Sequence, residues 1–163
     1  MTIDEIMEKA DYGYSREDDL KKVLKLTCEA VEIDPTDIRP WDLMGVALFE
    51  VGENEESLNC YEKILELEPE NEDAKLKKGQ MLNELGNFDE ASSIYDELIE
   101  SNSSRKDEAI LAKLTLTLET GNEKLFQETL TICNETIEKE DSKLLKDEIG
   151  FILSMHEVMP NMK

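Results

Sequence analysis

The chain of 163 residues is poor in the residues that metal sites, catalysis and membranes require. It has one histidine and three scattered cysteines, Cys28, Cys60 and Cys133, with no Cys-x-x-Cys pair. Such a set predicts reduced thiols and no metal or cofactor. No stretch approaches the roughly 20 apolar residues of a membrane helix, and the acidic N-terminal segment lacks an apolar targeting run. We therefore expect a cytoplasmic protein with no membrane partner.

Basic residues are also scarce, since 18 Lys and Arg stand against 40 Asp and Glu and give a net charge of −22. Such a surface repels a phosphate backbone or an anionic membrane, so we expect no nucleic-acid partner. The charge favours either solubility alone or the selection of a basic partner. With seven Gly, four Pro and 36% charged residues, the composition favours a helical protein.

The sequence contains a repeat of 34 residues that begins at Trp41. Residues at matching positions are Pro35 and Pro69, Gly45 and Gly79, Leu48 and Leu82, Gly52 and Gly86, Ser57 and Ala91, and Tyr61 and Tyr95. A 34-residue period with Trp-x2-Leu-Gly-x2-Tyr, then Ala-x3-Phe, then Pro is the tetratricopeptide (TPR) pattern. The segment 41–69 therefore resembles a TPR repeat.

The resemblance implies an all-α fold, a TPR-type α-solenoid of antiparallel helix hairpins with about four repeats and a C-terminal capping helix. We divide a single domain, 1–163, into repeats at about 4–37, 38–71, 72–105 and 106–140, with the cap helix at about 141–158. The apolar periodicity and the turn residues predict helices at 4–14, 17–32, 37–51, 55–67, 71–85, 88–100, 105–120, 122–139 and 141–158.

Polar residues and glycines mark the predicted helix ends. Gly52, Gly86 and Gly121 are expected to end helices in the left-handed conformation. The expected N-terminal caps are Thr2 with Glu5, Ser15 with Asp18, Ser104 with Asp107, and the single residues Asn54 and Asn87. The run 113–119 alternates with period two, which taken alone indicates a strand. We predict a helix there, because an isolated strand would leave its backbone groups without partners.

Gly45 and Gly79 fall inside predicted helices, where glycine costs about 1 kcal/mol relative to alanine. We expect them at points where two helices approach closely. The aromatic residues of the repeats are interpreted as core, and the cysteines as small apolar groups on second helices. His156, the one histidine, is expected on the packed side of the cap helix.

No catalytic or phosphate-binding motif appears, and pairs of carboxylates are expected by chance on an acidic helical surface. We therefore predict a chain that is not an enzyme. A hydrolase or metal-dependent enzyme that uses clustered carboxylates is the alternative from another functional class.

In the TPR family, the first helix of each repeat lines a concave groove that holds a segment of another protein. Carried over by position, the candidates are Glu8, Tyr12, Arg39, Asp42, Val46, Phe49, Glu50, Asp73, Leu76, Lys77, Gln80, Asn83 and Glu84, followed in the fourth repeat by Glu108, Leu111, Thr115 and Leu118. Val46, Phe49 and Leu76 either form an apolar part of the groove wall or pack against a neighbouring helix. One subclass grips carboxylates with lysines and asparagines, and only Lys77 matches that pattern in charge.

These patterns predict a non-catalytic scaffold that binds a peptide or helical segment of a partner protein, basic or amphipathic, in its groove. The alternative within the same class is self-association through the cap helix and its methionines, Met155, Met159 and Met162. We accordingly expect a monomer or a weak homodimer.

Overall fold

The computed structural model describes residues 2–14 and 20–158, and for residues 157 and 158 it describes the backbone only. Within these ranges the chain is helical and contains no strand, which confirms the all-α TPR-type solenoid class. The helices are α1 (Ile3–Tyr14), α2 (Leu20–Ile33), α3 (Ile38–Glu50), α4 (Asn54–Leu67), α5 (Glu72–Glu84), α6 (Phe88–Glu100), α7 (Lys106–Thr120), α8 (Glu123–Glu140) and α9 (Lys143–Val158).

The chain forms two compact units, residues 1–85 with α1 to α5 and residues 86–163 with α6 to α9. In the first unit each helix packs against its neighbour in the chain, and α1 also contacts α3. In the second unit α7 packs against α6, α8 and α9, and α8 contacts α9. The division of a single domain into four repeats at the boundaries given above stays a prediction.

Apolar clusters lie between the described helices of the first unit. One joins Ile6 and Ala10 of α1 to Val23 and Ala30 of α2, all at most 2% exposed. Another contains Tyr61 and Ile64 of α4, with Trp41 and Leu65 packed against it, as the repeat predicts. These clusters hold α1 and α3 in place, so the helices that carry the predicted groove residues rest on a packed core.

Gly45 lies at a close approach of α3 and α4. A Cβ atom at this position would lie 2.9 Å from Cζ of Tyr61, and the Ser57 hydroxyl donates a hydrogen bond of 2.8 Å to the Gly45 carbonyl. The prediction of a close approach is therefore confirmed for Gly45. Gly79 is buried in α5, and its role in a close approach stays a prediction.

Helix α7 is the most enclosed helix of the second unit. Ile110 and Leu114 are fully buried, and Leu116 is 2% exposed. Because α7 has neighbours on several sides, apolar residues are needed around most of its circumference, and this produces the alternation that indicates a strand. Lys113, which is 5% exposed, forms an ion pair with Asp96 of α6. The helix prediction for 105–120 is confirmed.

Several predicted helix ends are confirmed. Thr2 and Glu5 form a reciprocal pair, with the Thr2 amide 2.9 Å from Glu5 Oε2 and the Glu5 amide 3.3 Å from Thr2 Oγ1. Gly52, Gly86 and Gly121 have φ angles of 84°, 78° and 63°, in the left-handed region that glycine tolerates. The pair of Ser15 and Asp18 lies outside the described residues.

Two predicted caps are wrong, and a third is right in position only. Glu53, not Asn54, is the N-cap of α4, and its side chain makes no capping hydrogen bond. Asn87 does stand at the N-cap of α6, but its side chain makes no capping bond either. In α7 the N-cap is Arg105, one residue later than predicted, and the Ser103 hydroxyl oxygen accepts a hydrogen bond of 2.9 Å from the Arg105 amide. Asp107 instead accepts a hydrogen bond of 2.5 Å from Ser142, at the start of α9.

Candidate functional site

The predicted groove residues of the first unit lie on α1, α3 and α5. Two of them are exposed aromatic side chains, Tyr12 at 60% and Phe49 at 42%. Asp42 and Asp73 are also exposed, whereas Val46 is half-buried. The remaining half-buried members are Lys77, Gln80 and Asn83, and the remaining exposed ones are Glu8, Arg39, Glu50 and Glu84.

Leu76 is only 6% exposed and is therefore a core residue of the first unit. This burial is what the packing alternative predicts for an apolar residue on the third of the first helices. Phe49 is much more exposed than Leu76. Its phenyl ring, near the end of α3, is 42% exposed and is available for contact with a partner. The apolar part of the candidate groove thus consists of Phe49, Val46 and Tyr12.

Arg39 is held at the edge of the site by two carboxylates. Its Nη1 lies 2.9 Å from Asp4 Oδ1 of α1, and its Nη2 lies 2.5 Å from Asp37 Oδ2. The hydrogen bonds to Asp37 and then Asp4 raise the pKa of Arg39, and the Arg39 hydrogen bond lowers the pKa of Asp37. Because the carboxylates of Asp4 and Asp37 neutralise its charge, Arg39 adds little positive potential to the groove.

Helices α3 and α5 bring three charged groups together. Desolvation raises the pKa of Asp42, the nearby Lys77 lowers it, and Asp73 raises it further. Asp42 as a whole residue is exposed, but neighbouring protein atoms displace part of the water around its carboxylate. Lys77 can offset only one of the two negative charges of Asp42 and Asp73, so a second cation would be attracted to this position.

The sequence does not predict the hydrogen bond between Tyr14 and Glu50. The Tyr14 hydroxyl donates a hydrogen bond of 2.5 Å to Glu50 Oε1, which joins the end of α1 to the end of α3. The two residues are separated by 36 positions, close to the repeat period, so a search for polar pairs one period apart would have found them. The bond fixes the position of Glu50, one of the predicted groove carboxylates.

The predicted fourth-repeat residues lie on α7 in the second unit. Leu111 and Leu118 pack against its core, and Glu108 forms an ion pair of 3.2 Å with Arg105. Thr115 is exposed, and its hydroxyl donates to the Leu111 carbonyl at 3.0 Å. These side chains are engaged within the unit, which makes α7 a weaker candidate surface than α3.

His156 lies on the packed side of α9, as predicted. Its ring stacks on Phe126 with the ring centroids 4.1 Å apart, and its Nε2 lies 2.8 Å from Glu123 Oε2. Hydrogen bonds from Gln127 and then from His156 lower the pKa of Glu123. Among the described residues, no group of three or more His, Cys, Asp or Glu side chains is arranged to hold a metal ion.

The cysteines occupy the second helices of their hairpins, with Cys28 exposed and Cys60 and Cys133 buried. Burial raises the pKa of Cys60 to about 11 and that of Cys133 to about 11. A neutral, buried thiol is a poor nucleophile, so both side chains act as small apolar groups.

The outer surface of α9 carries several exposed apolar side chains. Phe151 is 64% exposed and Leu144 is 39% exposed, and Met155 is half-buried. Met159 and Met162 lie outside the described residues. Over the part of the chain that is described, no helix has the length and apolar character needed to cross a membrane.

Comparisons with known proteins agree on one family. A family model described as Tetratricopeptide repeat matches residues 48–114, whereas the comparison with curated proteins gives no match. A tetratricopeptide repeat protein from Parabacteroides merdae has a TM-score of 0.77 and 22% identity, over 95% of this chain and 59% of that protein. The chain therefore spans less than two thirds of that relative.

Two further solved structures have the same fold. The crystal structure of MamA has a TM-score of 0.71 and 19% identity, over 85% of this chain and 78% of that one. The TPR domain of Arabidopsis OM64 has a TM-score of 0.62 and 17% identity, over 71% of this chain and 93% of that one. At these identities the likeness shows the fold.

The helices, the period of 34 residues and the matched family model together define a helical-repeat protein. The match to the tetratricopeptide repeat model over residues 48–114 and the fold of the similar structures support a protein of the tetratricopeptide repeat type. This fold supports a protein-interaction scaffold in general, and proteins of the family are typically not enzymes.

Proposed function

We propose that the chain is a non-catalytic, cytoplasmic scaffold that binds a peptide or helical segment of a partner protein between α1, α3 and α5. The observation that carries this proposal is the presence of exposed carboxylates on all three helices, among them Asp42 on α3 and Asp73 on α5, together with an exposed aromatic ring on α3. Phe49, on the same helix as Asp42, is 42% exposed. Aromatic side chains are frequent among the few residues that dominate binding energy, so Phe49 is the expected anchor of a bound segment.

The charge of this surface favours a ligand with basic flanks. Five of the predicted groove residues are exposed carboxylates, namely Glu8, Asp42, Glu50, Asp73 and Glu84. Of the two cationic members, Arg39 is already paired with Asp4 and Asp37. A basic, amphipathic segment would be attracted by the carboxylates, while its apolar side chains would contact Phe49 and Val46 and set the affinity.

The experiment is capture of the partner from the native host, followed by calorimetric titration of the bound segment. Phe49→Ala should weaken binding by more than about 1 kcal/mol, the threshold above which an interface residue is counted as energetically important. Ile33→Ala is the matched control, because Ile33 is 55% exposed at the end of α2 and is not a groove residue. Equal affinities of the two variants would refute the proposed anchor.

Salt dependence tests the charged part of the proposal. Raising the ionic strength should weaken binding, because exposed charges are screened within about 8 Å at physiological ionic strength. A double variant, Asp42→Lys with Asp73→Lys, should slow association with little change in fold. If affinity is indifferent to salt and to this variant, the ligand does not bind between α3 and α5.

Self-association through α9 is the second candidate. It is favoured by the exposed side chains of Phe151 and Leu144 on that helix and opposed by the net charge of −22 on each copy. Size measurement over a concentration series, with and without Phe151→Ser, distinguishes a dimer built on α9 from a monomeric scaffold. A dimer that Phe151→Ser dissociates would support this candidate over the groove.

A further inference from the structure

The inner stripe of α9 ends in a histidine. Leu145 is 0% exposed and Ile152 is 7% exposed, and Ile149 between them packs against the same core cluster. His156 continues the stripe at the next step of four residues, and its side chain is 26% exposed. A type of side chain that ordinarily titrates at about pH 6.5 thus stands where the periodicity predicts an apolar one.

Two side chains of α8 contact the His156 ring. The ring stacks on Phe126, with the ring centroids 4.1 Å apart and an angle of 2° between the planes. Its Nε2 lies 2.8 Å from Glu123 Oε2. The other carboxylate oxygen, Oε1, accepts a hydrogen bond of 2.8 Å from Gln127. Hydrogen bonds from Gln127 and then from His156 lower the pKa of Glu123, so this carboxylate is ionised throughout the range in which a histidine titrates.

The other charged groups at this end of α9 are acidic or ion-paired. Helix α9 packs against α7 and α8. The charged residue in the last turn of α7 is Glu119, and the one that follows the ring in the sequence of α9 is Glu157. On α8, Lys124 is next to Glu123 in sequence, but its ammonium group pairs with Glu128 at 3.5 Å. The local charge therefore favours the protonated form of the ring.

The lysines of α7 and α9 do not offset this charge. Lys143 and Lys146 are in the first turn of α9, and the ten residues from Lys146 to His156 span about 15 Å of helix. Exposed charges are screened within about 8 Å at physiological ionic strength. Both lysines of α7 are ion-paired, Lys106 with Glu140 and Lys113 with Asp96.

We propose that His156 is a pH-sensitive switch, which holds the last turns of α9 on α8 when its ring is protonated and holds them less firmly when the ring is neutral. The protonated ring donates a charge-assisted hydrogen bond to Glu123 and places a cation over the face of Phe126. The neutral ring loses the ion pair and keeps the stacking contact. The start of α9 does not depend on this pair, because Ser142 bonds it to α7.

The direction of the pH effect follows from the two partners. At about pH 5.5 Glu123 is ionised and a histidine is mostly protonated, so the ion pair is complete. As the pH rises through the range in which histidine titrates, the ring loses its proton and the ion pair is lost. Separation of the last turns of α9 would uncover Phe126, which is 1% exposed when they are in place. The switch therefore controls access to an apolar surface that the proposed function does not use.

The test is amide hydrogen exchange, followed by nuclear magnetic resonance on the full chain at about pH 5.5 and about pH 8, on either side of the histidine range. Each rate is corrected for the pH dependence of the exchange reaction itself, so that the protection reports how often the backbone opens. The resonance of His156, the one histidine of the chain, shows its protonation state at each pH. The amides of Leu153 and Met155 report on the last turns of α9, and the Leu145 amide reports on its start.

In the parent chain, protection at Leu153 and Met155 should be about threefold higher at the lower pH, the effect of one ion pair between partly exposed groups. Glu123→Gln keeps an oxygen that can accept from the ring and removes the charge, so this pH effect should disappear. Glu128→Gln is the matched control, because Glu128 is on the same helix and pairs with Lys124. That variant should behave like the parent.

His156→Gln is the second test variant, because it removes the titrating ring whatever its effect on stability. Its protection in the last turns of α9 should be the same at both pH values. The proposal would be overturned by a parent chain without the pH effect, by persistence of the effect in Glu123→Gln or His156→Gln, or by its loss in Glu128→Gln. An equal pH effect at Leu145 and Leu153 would indicate a change in overall stability and would overturn it as well.

Discussion

Replacing Gly45 by alanine should destabilise the chain, although alanine is the better helix former. The added Cβ atom would lie 2.9 Å from Cζ and 3.1 Å from the hydroxyl oxygen of Tyr61. The Tyr61 ring is 1% exposed and is therefore enclosed in the core. The hydrogen bond of 2.8 Å from Ser57 to the Gly45 carbonyl holds α3 and α4 together at the same point.

The expected change in the free energy of unfolding of Gly45→Ala results from two opposing effects. Alanine in place of glycine inside a helix gains about 1 kcal/mol, and overpacking of a well-packed core costs about 1 to 3 kcal/mol. Gly150→Ala is the matched control, because Gly150 lies inside α9 with no described atom within 4 Å of the Cβ position. That variant should show the gain alone, so the two free energies of unfolding should differ by about 1 to 3 kcal/mol.

The assay is urea unfolding followed by circular dichroism, with the free energy of unfolding of each variant compared with that of the parent chain. Gly150→Ala should unfold at a higher urea concentration than the parent, and Gly45→Ala at a lower concentration than Gly150→Ala. Gly45→Leu should lower the midpoint further. If Gly45→Ala and Gly150→Ala stabilise the chain equally, the close approach of α3 and α4 at Gly45 is refuted.

Three other predictions test separate parts of the structure. Desolvation raises the pKa of Asp42 in the folded state, so the ionised carboxylate opposes folding above that pKa. Asp42→Asn should therefore raise the free energy of unfolding at neutral pH. This gain in stability should disappear as the pH falls to about 3, where Asp42 is protonated in both the folded and the unfolded chain. Equal stability of the two proteins in urea at neutral pH would contradict this. Ser142→Ala should cost about 1 to 2 kcal/mol, since Ser142 bonds both the Leu145 amide and Asp107; an unchanged melting temperature would contradict the cap. Replacing all three cysteines by alanine should leave the ligand affinity measured by calorimetry unchanged, because Cys60 and Cys133 are buried neutral thiols. If mild oxidation of the parent chain abolishes binding and a thiol reagent restores it, this prediction is wrong.

The family and the helices could be predicted because they depend on periodic features of the sequence. The recurrence of glycine and tyrosine at 34 residues sets the hairpins, and left-handed glycines end the helices at Gly52, Gly86 and Gly121. Helix α6 begins and ends at the predicted residues, and most other ends differ by one or two residues. Two successive units carry the same pattern, so each predicts the same helix hairpin independently.

The details of the groove could not be predicted, because they depend on contacts between different helices. Position in the repeat predicts Leu76 and Phe49 equally as wall residues, and yet Leu76 is 6% exposed and Phe49 is 42% exposed. Arg39 pairs with Asp37, two residues away, and also with Asp4, which lies 35 residues away. Neither the burial of Leu76 nor the contact of Arg39 with Asp4 is encoded in a local pattern.

The most direct test of the proposed scaffold function is a nuclear magnetic resonance titration of the isotope-labelled full chain with the captured partner segment. Amide shifts report where on the chain the segment binds, whatever its affinity. The account predicts that the largest shifts fall on α1, α3 and α5, around Tyr12, Phe49 and Asp73. Shifts confined to the described helices of the second unit, with α3 unchanged, would contradict it.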